Sequence, residues 1–139
     1  MKKAIFAGSF DPIHKGHLKI IEKASKLFDE LTVVVASNEL KEKQEELEKR
    51  AELVKDRIIF DNVKVVALEV EYLAHYAKEE GIKYLVRSAR NDVDFKYELD
   101  MAKVNSQIND ELETILIIPD YEDINISSTK IKAIYNKVK

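Results

Sequence analysis

Residues 4–17 read Ala4-Ile5-Phe6-Ala7-Gly8-Ser9-Phe10-Asp11-Pro12-Ile13-His14-Lys15-Gly16-His17. A short apolar run passes into a loop holding Gly8 and Pro12, and then into a helical pattern with Leu18, Ile21, Ala24 and Phe28 on one face. A buried strand that turns directly into a helix is the opening unit of an α/β sheet. The rest of the chain repeats the theme. Leu31-Thr32-Val33-Val34-Val35-Ala36 is apolar throughout and β-branched, as a strand covered on both faces must be. A helical segment with Leu47, Ala51, Val54 and Ile58 follows, then a strand at Val63-Lys64-Val65-Val66-Ala67. A short helix with Val70, Leu73 and Ala77 on one stripe stops at Gly81, a natural C′ residue. Tyr84-Leu85-Val86 is a fourth strand, a long helix runs from about Asp94 to Gln107, and Thr114-Ile115-Leu116-Ile117-Ile118 is a fifth strand stopped by Pro119. A last helix carries Ile131, Ile134 and Val138 on one face. Strict β-α alternation predicts a Rossmann-like, doubly wound, five-stranded parallel sheet with helices on both faces, forming one domain over residues 1–139.

Composition narrows the class. The chain has 139 residues, 45% hydrophobic and 35% charged, with a formal net charge of −3. That is enough apolar material for one packed core, which argues against disorder. A net negative balance argues against a nucleic-acid-coating protein, so any anion-binding cations must be focused in a local cleft. There is no cysteine, which excludes disulfides and thiolate-metal sites. The apolar run after Met1-Lys2-Lys3 is too short for a signal peptide, and no stretch approaches the ~20 residues that span a bilayer. The expectation is a cytoplasmic protein with no membrane partner.

In open parallel sheets, ligands bind beyond the carboxyl ends of the strands. After the first strand come Gly8, Ser9, His14, Gly16 and His17; after the second, Asn38 and Lys41; after the third, Glu71, Tyr72 and Leu73. After the fourth come Arg87, Ser88 and Arg90, and after the fifth Asn125, Ser127, Ser128 and Thr129. Arginines, a lysine, histidines and hydroxyls gathered at one end point to a polyphosphate. In the first loop, His14 and His17 lie three apart at a helix start and share a face. Gly8 and Gly16 leave room for a ligand, and the helix N-terminus adds N–H groups and its dipole. On spacing alone the histidine pair fits a metal site or an incidental placement equally; the glycines and the strand-to-helix context favour phosphate. Ile126-Ser127-Ser128-Thr129-Lys130 fits simple N-capping or a phosphate cradle, and the run of three hydroxyls favours the cradle. His75 on a polar helix face reads as incidental, and Glu42 to Arg50 as a solvated helix start.

These residues resemble a known family. Gly8 to His17 is similar to the (T/H)xGH motif of the nucleotidyltransferase superfamily. Leu85-Val86-Arg87-Ser88-Ala89-Arg90-Asn91-Asp92-Val93-Asp94-Phe95-Lys96-Tyr97-Glu98 resembles the (I/V)RGLR…DFEYE segment of bacterial pantetheine-phosphate adenylyltransferases. Met101-Ala102 and Asn105 continue that helix, Asn38, Lys41, Leu47, Glu48 and Arg50 keep the family register, and Ile126-Ser127-Ser128-Thr129 is similar to its ISSS motif. The chain departs from the usual pattern at His14 (usually threonine), Ser88-Ala89 (usually Gly-Leu) and Glu42 (usually lysine), and it is shorter at its C-terminus than typical members.

The resemblance implies transfer of the adenylyl group of ATP to 4′-phosphopantetheine, giving dephospho-coenzyme A and pyrophosphate. It implies that His17 stabilises the transition state, with His14, Lys41 and Arg90 as further catalytic residues. ATP would be held by Ser9, Phe10, His17, Ser88, Ala89, Arg90 and Glu98, and by Asp123, Ile124, Asn125, Ile126, Ser127, Ser128 and Thr129. Ser9, Lys41, Leu73 and Arg87 would hold phosphopantetheine. Mg2+ would accompany ATP, bound through phosphate oxygens and water rather than a protein cage. A homohexamer and inhibition by coenzyme A are implied too. Competing readings are a nicotinate or nicotinamide mononucleotide adenylyltransferase, favoured by His14 and Ile-Ser-Ser-Thr, and a non-catalytic nucleotide-binding module. A cytidylyltransferase lacks support, because its usual RTxGIS(T) motif is missing.

Overall fold

The computed structural model describes residues 1–37, 44–69, 72–120 and 128–138. Among the described residues ten strands and helices alternate: β1 (Lys3–Gly8), α1 (Lys15–Leu27), β2 (Glu30–Ala36), α2 (Gln44–Arg57), β3 (Val63–Leu68), α3 (Leu73–Glu79), β4 (Tyr84–Arg87), α4 (Asp92–Ile108), β5 (Glu113–Leu116) and α5 (Ser128–Val138). The strands form one sheet in the order β3-β2-β1-β4-β5, and every pairing is parallel. The chain winds outward from β1 to β3, then returns to the other side of β1. The direction of winding therefore reverses between β1 and β4, and a crevice opens there at the carboxyl ends of the strands.

Period-two alternation divides the strands between two cores. Ala4, Phe6, Leu31, Val33 and Val35 face one side, where they meet Ile20, Ile21 and Ala24 of α1 and Leu47, Ala51 and Val54 of α2. Ile5, Ala7, Val34 and Ala36 face the other, against Leu73, Ala74 and Ala77 of α3. Each face of β1 and β2 is covered by helix, which is why those strands read as unbroken apolar runs. Helix ends follow local chemistry. Gly81 takes φ 67°, Ile82 N–H donates to Ala77 O and Gly81 N–H to Lys78 O, which is the paired C-terminal arrangement that a left-handed glycine permits. Asn91 caps α4, its side chain accepting from the Asp94 N–H, so the helix starts ahead of the Asp94 expected from apolar period.

One expectation needs correction. The fifth strand ends at Leu116, not Ile118. Arg87, the last residue of β4, is in register with Leu116, so the ladder runs out and Ile118 lies 60% exposed. The final helix forms as expected, and Ile134 on its apolar face is 53% exposed; the period marks an apolar stripe without saying what covers it. Ile131 and Val138 have side chains outside the described set, as does Val70.

Candidate active site

The crevice between β1 and β4 is a cleft of about 760 Å³, bordered by Gly8, Ser9, His14, His17, Arg87, Ser88 and Arg90 and continuing past Leu73, Leu85, Met101, Ala102 and Asn105. Its lining thus combines anion-binding groups with apolar side chains.

The loop after β1 supplies both histidines of that lining. The chain leaves Gly8 through Phe10, whose backbone is left-handed at φ 47°, and a cis Asp11–Pro12 bond. Phe10 is buried and packs edge-to-face on Phe6 and on the His17 ring, with centroids 5.6 and 4.9 Å away. Phe10 therefore supports the histidine from behind. A Cβ on Gly8 would sit 3.2 Å from the Phe10 ring, and one on Gly16 would sit 2.9 Å from Cε1 of His14. Both glycines make room for neighbouring rings of the loop itself, a reason beyond the ligand space that the sequence suggested.

His14 is the N-cap of α1. Its Nδ1 accepts from the Gly16 N–H at 3.1 Å, and Nδ1 of His17 accepts from the His14 N–H at 3.1 Å. These are the reciprocal bonds of a capping box. Because both Nδ1 atoms are acceptors, each neutral ring carries its proton on Nε2. The rings stack with centroids 3.7 Å apart. Burial, followed by the nearby charges of His14 and Arg90, lowers the His17 pKa to about 4. Near neutral pH, His17 is an uncharged Nε2–H donor held in place by the backbone.

At the end of β4, Arg87 Nε and Nη2 donate to the two carboxylate oxygens of Glu98 at 2.9 and 2.8 Å, and Nη1 donates to the carbonyl of Ala7. Arg90 is largely exposed and pairs loosely with Asp94, 3.8 Å away. Among the described residues no group of three or more His, Asp or Glu side chains is placed to hold a metal ion, and no helix is long and apolar enough to cross a membrane.

A family model of cytidylyltransferase-like proteins matches residues 5–134. The chain is 42% identical over 135 residues to a phosphopantetheine adenylyltransferase of Lactobacillus johnsonii, with 95% of this chain and 80% of that protein covered. It is 41% identical to one of Thermotoga neapolitana (94% and 81% covered) and 36% identical to one of Chromobacterium violaceum (96% and 82% covered). The chain belongs to the phosphopantetheine adenylyltransferase family. Among solved structures, a nicotinate-nucleotide adenylyltransferase of Vibrio parahaemolyticus superposes with TM-score 0.64 at 22% identity, covering 100% of this chain and 83% of that one. A lipopolysaccharide core biosynthesis protein of Thermoplasma volcanium gives 0.57 at 16%, covering 86% and 97%. Both likenesses concern the fold alone.

Of the residues expected to act in a phosphopantetheine adenylyltransferase, Ser9, Phe10, His14, His17, Leu73, Arg87, Ser88, Arg90 and Glu98 border the one cleft. Ala89 is buried beside it, at 8% exposure. Lys41 and residues 123–127 lie outside the described residues. Ser128 and Thr129 open α5, with side chains outside the described set. His75 does not border the cleft. Sequence reasoning gave no role to Asp94, Tyr97, Met101, Ala102 and Asn105, all of which line the cleft. Their spacing along one face of α4 was the available signal.

Proposed function

We propose that this chain catalyses adenylyl transfer from ATP to 4′-phosphopantetheine, yielding dephospho-coenzyme A and pyrophosphate. The observation that carries the proposal is the cleft at the switch point of the sheet, whose lining joins Ser9, His14, His17, Arg87, Ser88 and Arg90 with Leu73 and Leu85. The triphosphate is assigned to Ser9, His14, His17, Ser88 and Arg90, and the pantetheine arm to Leu73 and Leu85. Family kinship with named phosphopantetheine adenylyltransferases supports the same choice.

An oxygen of the acceptor phosphate attacks the α-phosphorus of ATP in line. The bond from the α-phosphorus to the bridging oxygen of the β-phosphate breaks, and pyrophosphate leaves with that electron pair. A phosphate is already ionised at neutral pH, so no side chain has to remove a proton. What remains is positioning and stabilisation of charge on the α-phosphate oxygens. His17 supplies an Nε2–H donor whose orientation is set before substrate arrives, and His14 supports it. Arg87, with Lys41, holds the acceptor phosphate. Arg90 and residues 123–129 hold the nucleotide. Mg2+ enters as the counter-ion of ATP, ligated by phosphate oxygens and water.

A homohexamer in the cytoplasm, inhibited by coenzyme A, completes the proposal. The apolar residues exposed along α4, including Val93, Phe95, Leu99, Val104 and Ile108, support an assembly that covers them. Incubation with Mg-ATP and 4′-phosphopantetheine, followed by mass spectrometry of the products, tests the reaction. Dephospho-coenzyme A is the expected product, and recovery of unchanged acceptor contradicts it.

A further inference from the structure

We infer that Lys23 is a positioning residue for the nucleotide: its ammonium ties the residues on either side of Pro119 to α1 and so holds Pro119 in the wall of the cleft. The inference rests on the reading of the cleft as an ATP site.

β5 ends at Leu116, and the Ile117 N–H then donates to the Arg87 carbonyl at 2.9 Å. Beyond that bond the chain leaves the sheet, yet Pro119 still lines the cleft. Proline has no N–H to donate, so its place depends on the groups to either side. Lys23 holds both of them. Its Nζ donates to the Ile118 carbonyl at 3.0 Å and lies 2.6 Å from Oδ1 of Asp120. Nζ of Lys19, one turn earlier on α1, lies 3.8 Å from Oδ2 of the same carboxylate. Two like charges at this spacing repel on a helix, and a carboxylate set against both offsets that repulsion.

The first turn of the same helix carries His17. Lys23 thus fixes the chain that follows β5 against the element that presents the histidine. Three residues beyond Asp120 begins the segment 123–129, which the proposed function gives to the nucleotide, whereas Leu73 and Arg87 of the acceptor side lie on α3 and β4. Exposed ion pairs add little to global stability, and the side chains of Lys23 and Asp120 are 37% and 40% exposed. What the bonds supply is therefore local. They order Pro119 and the start of that segment in the free protein, and ordering completed before binding does not weaken the ligand.

Calorimetric titration with Mg2+ and α,β-methylene-ATP, and separately with 4′-phosphopantetheine, tests this. The proteins are the wild type, Lys23→Met, Lys23→Arg, Asp120→Asn, Lys23→Met/Asp120→Asn and Lys26→Met. The last removes the same charge from the next turn of α1, where Lys26 pairs with Glu22. Lys23→Met is expected to weaken the ATP analogue about 10-fold, the scale of a misplaced positioning group, while 4′-phosphopantetheine changes less than about twofold. Its melting temperature should fall by no more than a few degrees. Asp120→Asn should show the same selectivity to a smaller extent, because the bond to Ile118 survives. The double variant should lose less than the sum of the two single losses, and Lys23→Arg should restore most of the affinity. Unchanged binding of the ATP analogue in Lys23→Met, an equal loss in Lys26→Met, or an equal loss for 4′-phosphopantetheine would overturn the inference while leaving the ATP reading in place. If the wild type binds 4′-phosphopantetheine but not the ATP analogue, the ATP reading itself fails and the role of Lys23 falls with it.

Discussion

The His14 backbone N–H donates to Nδ1 of His17, and the two imidazoles stack with centroids 3.7 Å apart. The bond fixes the tautomer of His17, and the stack fixes its plane. The Nε2–H donor is therefore set by the fold before any ligand binds, which is the condition under which a hydrogen-bond donor accelerates charge development at phosphorus.

If His17 is that donor, its removal costs rate and not structure. His17→Ala is expected to lower kcat by about 100-fold or more, the scale of losing one oxyanion donor. Its melting temperature should fall only by the few degrees that one capping bond supports. Turnover near the wild-type value would remove His17 from the chemistry.

The lowered His17 pKa has two measurable consequences. In ligand-free protein its imidazole resonance should titrate with a midpoint near 4 rather than 6.5. Between those values the unfolded chain binds a proton that the folded chain refuses. His17 therefore contributes stability above about pH 6.5, and that contribution is lost as pH falls toward 4. A bound triphosphate favours the charged ring, so ATP should raise the midpoint. NMR titration with and without nucleotide checks both; a free-enzyme midpoint at 6.5 would contradict the geometry described for the site.

Gly16 offers a test that separates stability from activity. Alanine at this helix position gains at most ~1 kcal/mol of helical propensity, yet its Cβ would lie 2.9 Å from the His14 ring. Gly16→Ala should therefore change the melting temperature little, because loss of the His14 cap offsets the gain in propensity, while kcat falls about 10-fold through displacement of the stacked pair. Unchanged kcat would mean that His14 can move without cost.

The sheet makes a separate demand. Leu31 on β2 has no exposed surface and packs among α1 and α2 residues. Leu31→Ala should cost about 2–5 kcal/mol of unfolding free energy, read by urea denaturation. A loss well below that range would mean that the core collapses around the gap.

Much of this was legible in the chain. Runs such as Leu31 to Ala36 announced a doubly covered sheet, and the rule that ligands bind at strand ends gathered Ser9, His17, Leu73, Arg87 and Arg90 before any geometry was known. What escaped notice depends on contacts across the fold. Glu98 meets Arg87 from eleven residues away, on a different element, and nothing in local period reveals that pairing. Phe10 could be placed near the site, but its left-handed backbone and its packing behind His17 arise from the tight loop. The glycines were recognised as spacers, though the rings they make space for belong to the protein itself. The end of β5 depended on the length of β4, a property of its neighbour rather than of its own residues.

The central claim is that the acceptor phosphate of 4′-phosphopantetheine is the nucleophile. It is tested most directly by pyrophosphate release from Mg-ATP in parallel reactions with 4′-phosphopantetheine, pantetheine, nicotinate mononucleotide and no acceptor. Release with 4′-phosphopantetheine alone is the predicted result. Release with nicotinate mononucleotide in its place, or equal release with pantetheine, would contradict it.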